Sequence, residues 1–449
     1  MNGQRRAEMA ASVFDSPLYA HLFPTGEAGR LFSDTAAIRA MLLVEGALAR
    51  AQGAQGIIPE LSAKAIQRAT MEIQIDPGAI ARTTGENGVS VPGLVAAFRA
   101  EMNAPEHAQF VHWGATSQDI IDTGLMLRLR QLLLLAEDDI HSVVTVLATQ
   151  AKTHARTPMA ARTWGQQATP TTWGAVLADW GHGLCDLLDA LHGLRSSSLL
   201  VSLSGAAGTA SALGPEAAAT RAALAEGLGL HDPGRSWHVD RGPILRIADW
   251  LAQLVSLLAR MGATLVALTG SEVGEVRLGV LGTSSTMPQK QNPVAPSALQ
   301  ALGHQMTGLR AALGPATQHL HQRDGAAWFA EWMVLPQIAL SAACALQHAK
   351  ALSQGMTPDT DRMARTLEGG LGLIHAEALS FALSARTHRP EAQAQTKALC
   401  AAAQQSGTPL ETLARAAYPD LPEDLFDPAT SLGLAPQEAL AFVARARTL

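Results

Sequence analysis

Five long, mostly apolar segments with helical periodicity constrain the fold of this chain more than any other feature. They lie at about 119–154, 170–195, 242–276, 294–314 and 328–354. Polar residues interrupt them without ending the pattern, which is typical of a buried bundle rather than a surface coiled coil. Their faces are too apolar to be left in water, so we expect subunits to associate. Gln253 and Arg260 interrupt the most apolar stretch, 250–270, and favour a core helix over a membrane span.

Shorter helical patterns on either side of these segments predict two smaller domains. Ser33 can cap a helix that ends near Gln52 and whose apolar face carries one carboxylate, Glu45. Two further helices are predicted at about 62–72 and 92–103, with a break between them at 85–88. We therefore expect an N-terminal helical domain over 1–111, a central bundle over 112–355 and a C-terminal helical domain over 356–449.

Composition and charge favour an all-α protein and exclude several classes of function. Hydrophobic residues make up 47% of the chain and aromatic residues only 4%, while Ala and Leu dominate, which favours helix over sheet. The net charge is −6 with no basic tract, so no nucleic-acid partner is expected. Cys185, Cys344 and Cys400 lie far apart among apolar neighbours, which indicates reduced thiols. With no apolar signal segment near Met1, we expect a cytoplasmic protein without a membrane partner.

The segment 282–293 has the composition of a loop that carries chemistry. It places Ser284, Ser285, Lys290 and Asn292 within twelve residues, between a glycine and a proline. Glycine permits backbone conformations that other residues resist, and proline ends a helix. Two hydroxyls, an ammonium and a carboxamide are therefore predicted to lie on a functional loop rather than in a packed element.

Three other segments also carry polar groups in an unusual pattern. In 112–119 a glycine turn leads into a helix start, where hydroxyls and free backbone N–H groups either cap the helix or hold an anion. The glycine-rich loop 205–209 has no strand before it and no Gly-Lys-Ser/Thr after it, so a structural role is predicted. A third segment, 162–170, begins Arg-Thr-Trp-Gly-Gln. Arg323 and Asp324 are neighbours, and a surface ion pair is one interpretation of them.

Motifs of other enzyme classes do not occur in the sequence. His319 and His321 lack the H-E-x-x-H spacing and a carboxylate partner, so metal binding is not expected. No G-x-S-x-G, Walker A or strand-preceded G-x-G-x-x-G motif is present, which argues against hydrolase, NTPase and dinucleotide-binding functions. We expect that the protein needs no metal ion and no organic cofactor.

Taken together, these segments resemble the signature motifs of the fumarase/aspartase superfamily. Residues 282–293 resemble G-S-S-x-M-P-x-K-x-N-P, 112–119 resemble H-x-G-x-T-S-x-D, and 162–168 resemble R-T-H-x-Q-x-A. The resemblance implies an all-α fold in which a central bundle of five long helices is flanked by two smaller helical domains. It also implies a homotetramer whose active sites each combine these three segments from three chains.

The same resemblance implies roles for individual residues. Ser284 exchanges a proton with a carbon atom beside a substrate carboxylate, and Lys290 and Asn292 hold the resulting dianion. Arg323 helps to hold a carboxylate of a small polycarboxylate substrate. Ser284 and Lys290 are thus the implied catalytic residues, and the implied substrate-binding residues are His112, Thr116, Ser117, Thr163, Trp164, Gln166, Ser285, Met287, Asn292 and Arg323.

Two departures from the superfamily pattern narrow the reaction. The superfamily's second catalytic residue, a His that is paired with a Glu, is replaced by Trp164, and the Glu by Ser297. An amine or hydroxide must be protonated as it leaves, whereas a carboxylate needs no such help because its acid has a pKa of about 4. The loss of both partners therefore favours lactonisation, in which a carboxylate adds to a double bond of the same molecule.

One branch of the superfamily has this chemistry, the bacterial 3-carboxy-cis,cis-muconate cycloisomerases of protocatechuate breakdown. The sequence is similar to that branch at 111–123, at Arg-Thr-Trp and around Trp328. Gln289 and Gln291 stand where the branch usually has His and Arg, so the substituents of the substrate stay open. The alternatives are a fumarate-releasing lyase such as adenylosuccinate lyase, and a non-catalytic structural or binding protein on the same fold.

Overall fold

The computed structural model describes residues 11–280, 282–283, 286–287 and 289–449. Helices dominate this part of the chain, as predicted. In chain order the α-helices are α1 (Asp34–Ala54), α2 (Glu60–Glu72), α3 (Pro77–Asn87), α4 (Val91–Met102), α5 (Pro105–Ala108), α6 (Ser117–Thr153), α7 (Trp173–Ser198), α8 (Ala217–Leu228), α9 (Gly242–Thr269), α10 (Val294–Ala312), α11 (Gly325–Gly355), α12 (Thr360–Glu368), α13 (Ala376–Ser384), α14 (Arg389–Ser406), α15 (Leu410–Ala417) and α16 (Ala435–Ala446). Short 3-10 helices lie at Val13–Asp15, Pro17–Tyr19, Gly26–Phe32, Ser211–Leu213, Gly314–Thr317, Gly370–His375 and Pro428–Thr430.

The strands of the described residues form three antiparallel pairs. The pairs are β1 (Pro158–Thr163) with β2 (Gln166–Thr172), β3 (Val276–Arg277) with β6 (Thr357–Pro358), and β4 (Gly282–Thr283) with β5 (Gln291–Asn292). The β1–β2 register shifts between Ala160 and Arg162. None of these strands was predicted. The β1–β2 hairpin carries Thr163, Trp164 and Gln166, three of the predicted substrate-binding residues.

The five long helices predicted from the sequence are α6, α7, α9, α10 and α11. Two of their boundaries differ from the prediction. α7 begins at Trp173 rather than near Pro170, because the residues before it belong to β2. α9 ends at Thr269 rather than near Val276, because a turn closed by the Gly274 N–H on the Gly270 carbonyl (2.8 Å) leads into β3.

The N-terminal helices follow their sequence signals with one correction. The hydroxyl of Ser33 accepts the N–H of Ala36 at 3.2 Å and caps α1, as predicted. The helix break predicted at 85–88 was placed too early. In the structure α3 continues through Gly85 and ends just before Gly88, which has a left-handed φ of +70°. One glycine inside a helix costs only about 1 kcal/mol relative to alanine, so Gly85 does not end the helix.

The chain divides into two compact units. The first contains the described residues of 11–139, 187–256 and 301–347, and the second contains the described residues of 140–186, 257–300 and 348–449. Leu42, Val44 and Phe98 are among the fully buried core residues of the first unit. In the second unit, Leu379 of α13 and Leu410 of α15 belong to one buried apolar cluster. The three domains expected from the sequence stay a prediction.

Two helices are long and apolar enough to cross a membrane, judged by length and composition alone: α9 and α11. In the most apolar window of each helix, 44% of the α9 residues and 61% of the α11 residues are buried. The core helix of a soluble protein has the same length and composition, and this is the interpretation that the polar residues of 250–270 favour.

Candidate active site

The segment from His112 to the start of α6 forms the turn and helix start that the sequence predicted. Gly114 has a left-handed φ of +74°, and α6 begins at Ser117. The N–H of Thr116 donates to Oδ2 of Asp119 at 3.1 Å, and the N–H of Asp119 donates to the Thr116 carbonyl at 3.0 Å. This reciprocal pair holds Thr116 and Ser117 at the N-terminus of a long helix, where negative charge is favoured.

Asp119 anchors this helix start to the rest of the first unit. Its buried Oδ1 accepts hydrogen bonds from the Ser202 hydroxyl at 3.0 Å and the Ser204 N–H at 2.8 Å. Nε2 of His238 also lies 2.8 Å from Oδ1, and the Gly205 N–H donates to Oδ2 at 2.9 Å. Burial alone would raise the pKa of Asp119, but His238 and the backbone donors lower it below its ordinary value. Gly205 thus has the structural role that was predicted for the glycine-rich loop.

A buried carboxylate from α1 holds His112. Nδ1 of His112 lies 2.7 Å from Oε1 of Glu45, and the His112 N–H donates to Oε2 at 3.1 Å. Burial acts to lower the pKa of His112, but Glu45 and then Asp119 outweigh it, so the pKa is raised above its ordinary value. Glu45 was visible in the sequence as a lone carboxylate on an apolar face, but its partner was not predicted. The pair favours a positive charge at a predicted substrate-binding residue.

Arg323 belongs to a polar network and does not pair with its neighbour Asp324. Its Nε donates to Oε1 of Gln118 at 2.7 Å, and Nε2 of Gln118 donates to Oδ2 of Asp122 at 3.2 Å. Asp324 instead accepts the N–H of Ala327 at 2.9 Å, at the start of α11. Nη2 of Arg323 is buried and has no hydrogen-bond partner among the described residues. Such a donor suits the carboxylate-binding role predicted for Arg323.

A buried ion-pair triad supports this network through Asp122. Arg241, only 1% exposed, donates to both oxygens of Asp122 at 2.7 and 3.0 Å and to both oxygens of Glu331 at 2.8 and 2.7 Å. Burial acts to lower the pKa of Arg241, but the two carboxylates raise it well above its ordinary value. Burial also raises the pKa of Glu331. This triad was not predicted from the sequence, because nothing local distinguishes Arg241 from a surface arginine such as Arg235.

In the second unit, the β1–β2 hairpin presents Trp164 at its tip. Trp164 and Gly165 form the turn with left-handed φ values of +55° and +75°, the combination that matches the twist of a tight hairpin. A bulky residue such as tryptophan rarely adopts such a φ. The Trp164 side chain is fully exposed. Both guanidinium ends of Arg162 donate to Glu275 at 2.8 Å and fix the strand that leads to the tip. The tip brings together three predicted substrate-binding residues: Thr163, Trp164 and Gln166.

The ends of the 282–293 segment form the short hairpin β4–β5, although a loop without strands was predicted. Gly282 pairs with Asn292, the predicted carboxamide. A Cβ atom on Gly282 would lie only 2.6 Å from Cγ2 of Val294. Glycine is therefore needed at this end of the segment for close packing against the start of α10.

The predicted catalytic residues of this segment are described only in part. Lys290 and Met287 are exposed, and the Lys290 N–H donates to the Met287 carbonyl at 3.0 Å, which closes a turn. Ser284 and Ser285 lie outside the described residues. The roles of these four residues stay predictions.

The described site residues thus form two sets with different chemistry. In the first unit, Thr116 and Ser117 lie at a helix N-terminus, and His112 and Arg323 add cationic groups suited to carboxylates. In the second unit, one ammonium, two amides and an indole stand on two hairpins, in the set Thr163, Trp164, Gln166, Met287, Lys290 and Asn292. Within the described ranges, no cluster of His, Cys, Asp and Glu is suited to a metal ion.

Known proteins resemble this chain along nearly its whole length. The sequence profile of a family described as "Lyase" matches residues 26–308. The 3-carboxy-cis,cis-muconate cycloisomerase of Pseudomonas aeruginosa is 40% identical over 375 residues, which cover 82% of each chain. The nitrosuccinate lyase of Streptomyces davaonensis is 34% identical over 457 residues, which cover 97% of this chain and 96% of that protein. The solved structure of 3-carboxy-cis,cis-muconate lactonizing enzyme from Pseudomonas putida matches with a TM-score of 0.90 and 34% identity, over 96% of this chain and 99% of that chain.

Proposed function

We infer the function from one premise: this chain belongs to the fumarase/aspartase superfamily, in the family described as "Lyase". Its function is that of a cycloisomerase, an intramolecular lyase that converts 3-carboxy-cis,cis-muconate to 4-carboxymuconolactone in protocatechuate catabolism, the β-ketoadipate pathway. Four relatives that carry the name 3-carboxy-cis,cis-muconate cycloisomerase support this assignment, at identities from 34% to 40%.

One observation carries the choice of reaction within the superfamily. The exposed hairpin tip presents the indole of Trp164 at the position where the superfamily pattern has a His. An indole cannot deliver a proton to a leaving group at neutral pH. The Glu partner of that His is also replaced, by Ser297, whose hydroxyl donates to the Pro293 carbonyl at 2.8 Å. A reaction whose nucleophile is an ionised carboxylate needs neither group.

In the proposed reaction, a carboxylate oxygen of the substrate forms a C–O bond to one carbon of a C=C bond. The electron pair of the double bond moves toward the adjacent carboxylate, and Lys290 and Asn292 stabilise the charge that develops there. Ser284 then delivers a proton to the carbon beside that carboxylate and regains one from solvent. One proton is taken up for each lactone formed, because one carboxylate becomes a neutral ester.

The remaining predicted residues bind and shape the substrate. His112 and Arg323 pair with substrate carboxylates, and Thr116 and Ser117 add hydroxyl and N–H donors at the start of α6. Trp164 forms an apolar wall that keeps water away from the carbon under attack. Binding energy from the carboxylates holds the nucleophilic carboxylate close to the double bond, which provides much of the rate.

The active form is proposed to be a cytoplasmic homotetramer with shared active sites. Each site would combine the 112–119, 162–168 and 282–293 segments from three chains. The full exposure of Trp164 supports this assembly, as does the exposure of Phe329 (41%) and Met333 (66%) on α11. Phe329 and Met333 lie one helical turn apart on α11, and contiguous exposed apolar surface marks interaction sites.

The direct test is turnover of 3-carboxy-cis,cis-muconate by the purified protein. We expect loss of the diene absorbance, appearance of the lactone by NMR and uptake of one proton for each turnover in a weakly buffered solution. Heat-denatured protein serves as the control. No loss of diene at micromolar enzyme would overturn the proposal, and turnover without proton uptake would overturn the mechanism.

A second candidate function is the elimination of nitrite from nitrosuccinate. The alignment with the nitrosuccinate lyase of Streptomyces davaonensis covers 97% of this chain, more than the alignment with the Pseudomonas aeruginosa relative. Nitrite, like a carboxylate, leaves as an anion without being protonated, so the missing His–Glu pair is compatible with this reaction as well. Fumarate formation from nitrosuccinate, measured by absorbance beside the muconate assay, separates the two candidates.

A further inference from the structure

A cavity of about 450 Å³ in the first unit is lined by four arginines. They are Arg39, Arg50, Arg128 and Arg130, and the described residues around the cavity include no Asp or Glu. The chain as a whole has more acidic than basic residues, 39 against 33. Four guanidinium groups without a carboxylate therefore set this cavity apart from the rest of the molecule, because like charges gathered in one place repel one another.

The hydrogen bonds of these arginines go to neutral groups: backbone carbonyls and, from Nη2 of Arg39, the sulfur of Met71 at 3.3 Å. Arg39 donates to the Thr70 carbonyl near the end of α2, and Arg130 donates to the Gly229 carbonyl at 3.0 Å, just past the end of α8. None of the four arginines forms an ion pair within the described residues. The partial negative charge at the two helix ends compensates the arginines only in part. Each guanidinium has five N–H donors, so most of these donors are left for another partner.

Arg128 shows the imbalance most clearly. Its Nε is buried without a hydrogen-bond partner among the described residues, and Nη1 makes only a long contact of 3.4 Å with the Leu31 carbonyl. Burial lowers the pKa of Arg128 to about 10, with a smaller opposing effect of Asp34. A guanidinium that is buried away from water destabilises the fold unless an anion pairs with it.

Two glycines at the end of α8 make room for the guanidinium groups. A Cβ atom on Gly227 would lie 2.4 Å from Nη2 of Arg50, and one on Gly229 would lie 3.0 Å from Nη1 of Arg130. The walls between the arginines are mostly apolar and include Leu43, with a few neutral polar side chains such as Gln131. The cavity is of the size that holds a small organic molecule.

We propose that this cavity binds a small organic polyanion, with two or more carboxylate or phosphate groups on a compact apolar skeleton. The site is separate from the candidate active site. Arg128 lies on α6 eleven residues beyond Ser117, which is about 16 Å along the helix axis at 1.5 Å per residue. The proposal does not depend on the cycloisomerase assignment.

The alternative is that these arginines only neutralise helix ends, and Gly227→Ala separates the two interpretations. Alanine favours the helical conformation at this position, so α8 should be no less stable. Its methyl group, however, would lie 2.4 Å from the position of Arg50 Nη2, so the guanidinium of Arg50 would have to move from that position. Helix capping by Arg39 and Arg130 would be unaffected, whereas binding of an anion in the cavity would be weakened.

The experiment is calorimetric titration of the full-length protein with two probes, pyrophosphate and tricarballylate, at low and high salt. We expect saturable binding of at least one probe, weaker at high salt. Gly227→Ala and Arg50→Gln should each weaken it by at least about tenfold, the effect of losing a charge-assisted hydrogen bond. A preference for pyrophosphate identifies a phosphate ligand, and a preference for tricarballylate identifies a carboxylate ligand.

Two controls keep the outcome decisive. Arg82→Gln removes an exposed arginine of α3 that pairs with Glu86, and it should bind the probes like wild type. Lys290→Met separates the two sites, since binding at the arginine cavity should survive it. Unchanged affinity in both Gly227→Ala and Arg50→Gln, or no saturable binding of either probe at millimolar concentration, would overturn the proposal.

Discussion

In the proposed mechanism Ser284 delivers a proton to carbon, and Lys290 stabilises the negative charge that develops on the substrate. Ser284→Ala and Lys290→Met should each lower turnover of the muconate by at least about 10²-fold, as expected for loss of a proton-transfer group or of a charge stabiliser. Lys397→Met removes an exposed lysine of α14 and serves as the matched control, with unchanged turnover. Near-normal turnover by Ser284→Ala would remove this serine from the mechanism.

Substitutions of Trp164 test whether the reaction needs the His–Glu pair of the superfamily. If an ionised nucleophile makes that pair unnecessary, Trp164→His, alone or with Ser297→Glu, should reduce lactone formation and admit water or an amine as competitors. Trp164→Phe keeps an aromatic wall and should stay closer to wild type. Products are measured by NMR. Faster lactone formation by the His variant would mean that a leaving-group acid is needed, against the argument for a cycloisomerase.

His112 gives the stability of the fold a pH dependence of known sign. Its pKa is raised in the folded state by Glu45, so its contribution is complete below the unfolded-state pKa of about 6.5. The contribution is lost as pH rises through the higher folded-state pKa. In urea unfolding at one protein concentration, wild type should therefore exceed His112→Gln by more at about pH 6 than at about pH 9. Equal differences at both pH values would contradict a charged His112–Glu45 pair.

At the scale of elements, the Arg241 triad joins α6, α11 and the residue before α9. Arg241→Met leaves two buried carboxylates without a partner and should lower the free energy of unfolding by about 3–5 kcal/mol. Arg235→Met breaks a half-exposed ion pair with Asp240 and is the matched control, with a loss of about 0–1 kcal/mol. Chemical denaturation at equal protein concentration measures both. Equal losses for the two variants would mean that the triad does not stabilise the fold.

Elements that repeat one local pattern over many turns were predictable from the sequence. α6 and α11 start within a few residues of their predicted positions, and the capped start of α1 was placed correctly. Apolar residues recur at every turn of these helices, so a misleading residue at one position does not hide the overall helical pattern.

The hairpin β1–β2 was missed for a physical reason. Its strands contain Ala, Gln and Pro, which do not favour strand, and its tip places a tryptophan where turns prefer Asn or Gly. Its main anchor joins Arg162 to Glu275, 113 residues further along the chain. The partner of Glu45 is 67 residues away, and the partners of Arg241 are 90 and 119 residues away. The site's polar network could therefore not be predicted from local patterns.

At the scale of the whole molecule, shared active sites would make two inactive chains repair each other. His112→Ala and Lys290→Met should each be inactive alone. Refolded together in equal amounts, they should recover about a quarter of wild-type activity, because each residue comes from a different chain and each is intact in half of the chains. Each variant refolded alone is the control. No recovery in mixtures that contain mixed tetramers would contradict shared sites, and a stable monomer by light scattering would contradict the assembly.

The position of Asp119 also bears on how this protein is made. Its partners Ser202 and His238 lie 83 and 119 residues further along the chain. A growing chain therefore emerges from the ribosome with the Asp119 carboxylate in place long before the groups that bind it. Closing such long loops is entropically unfavourable and slow compared with forming the helix itself. The start of α6 is thus completed only after residue 238 has been synthesised, and a shorter nascent chain has helices but not yet an ordered binding end.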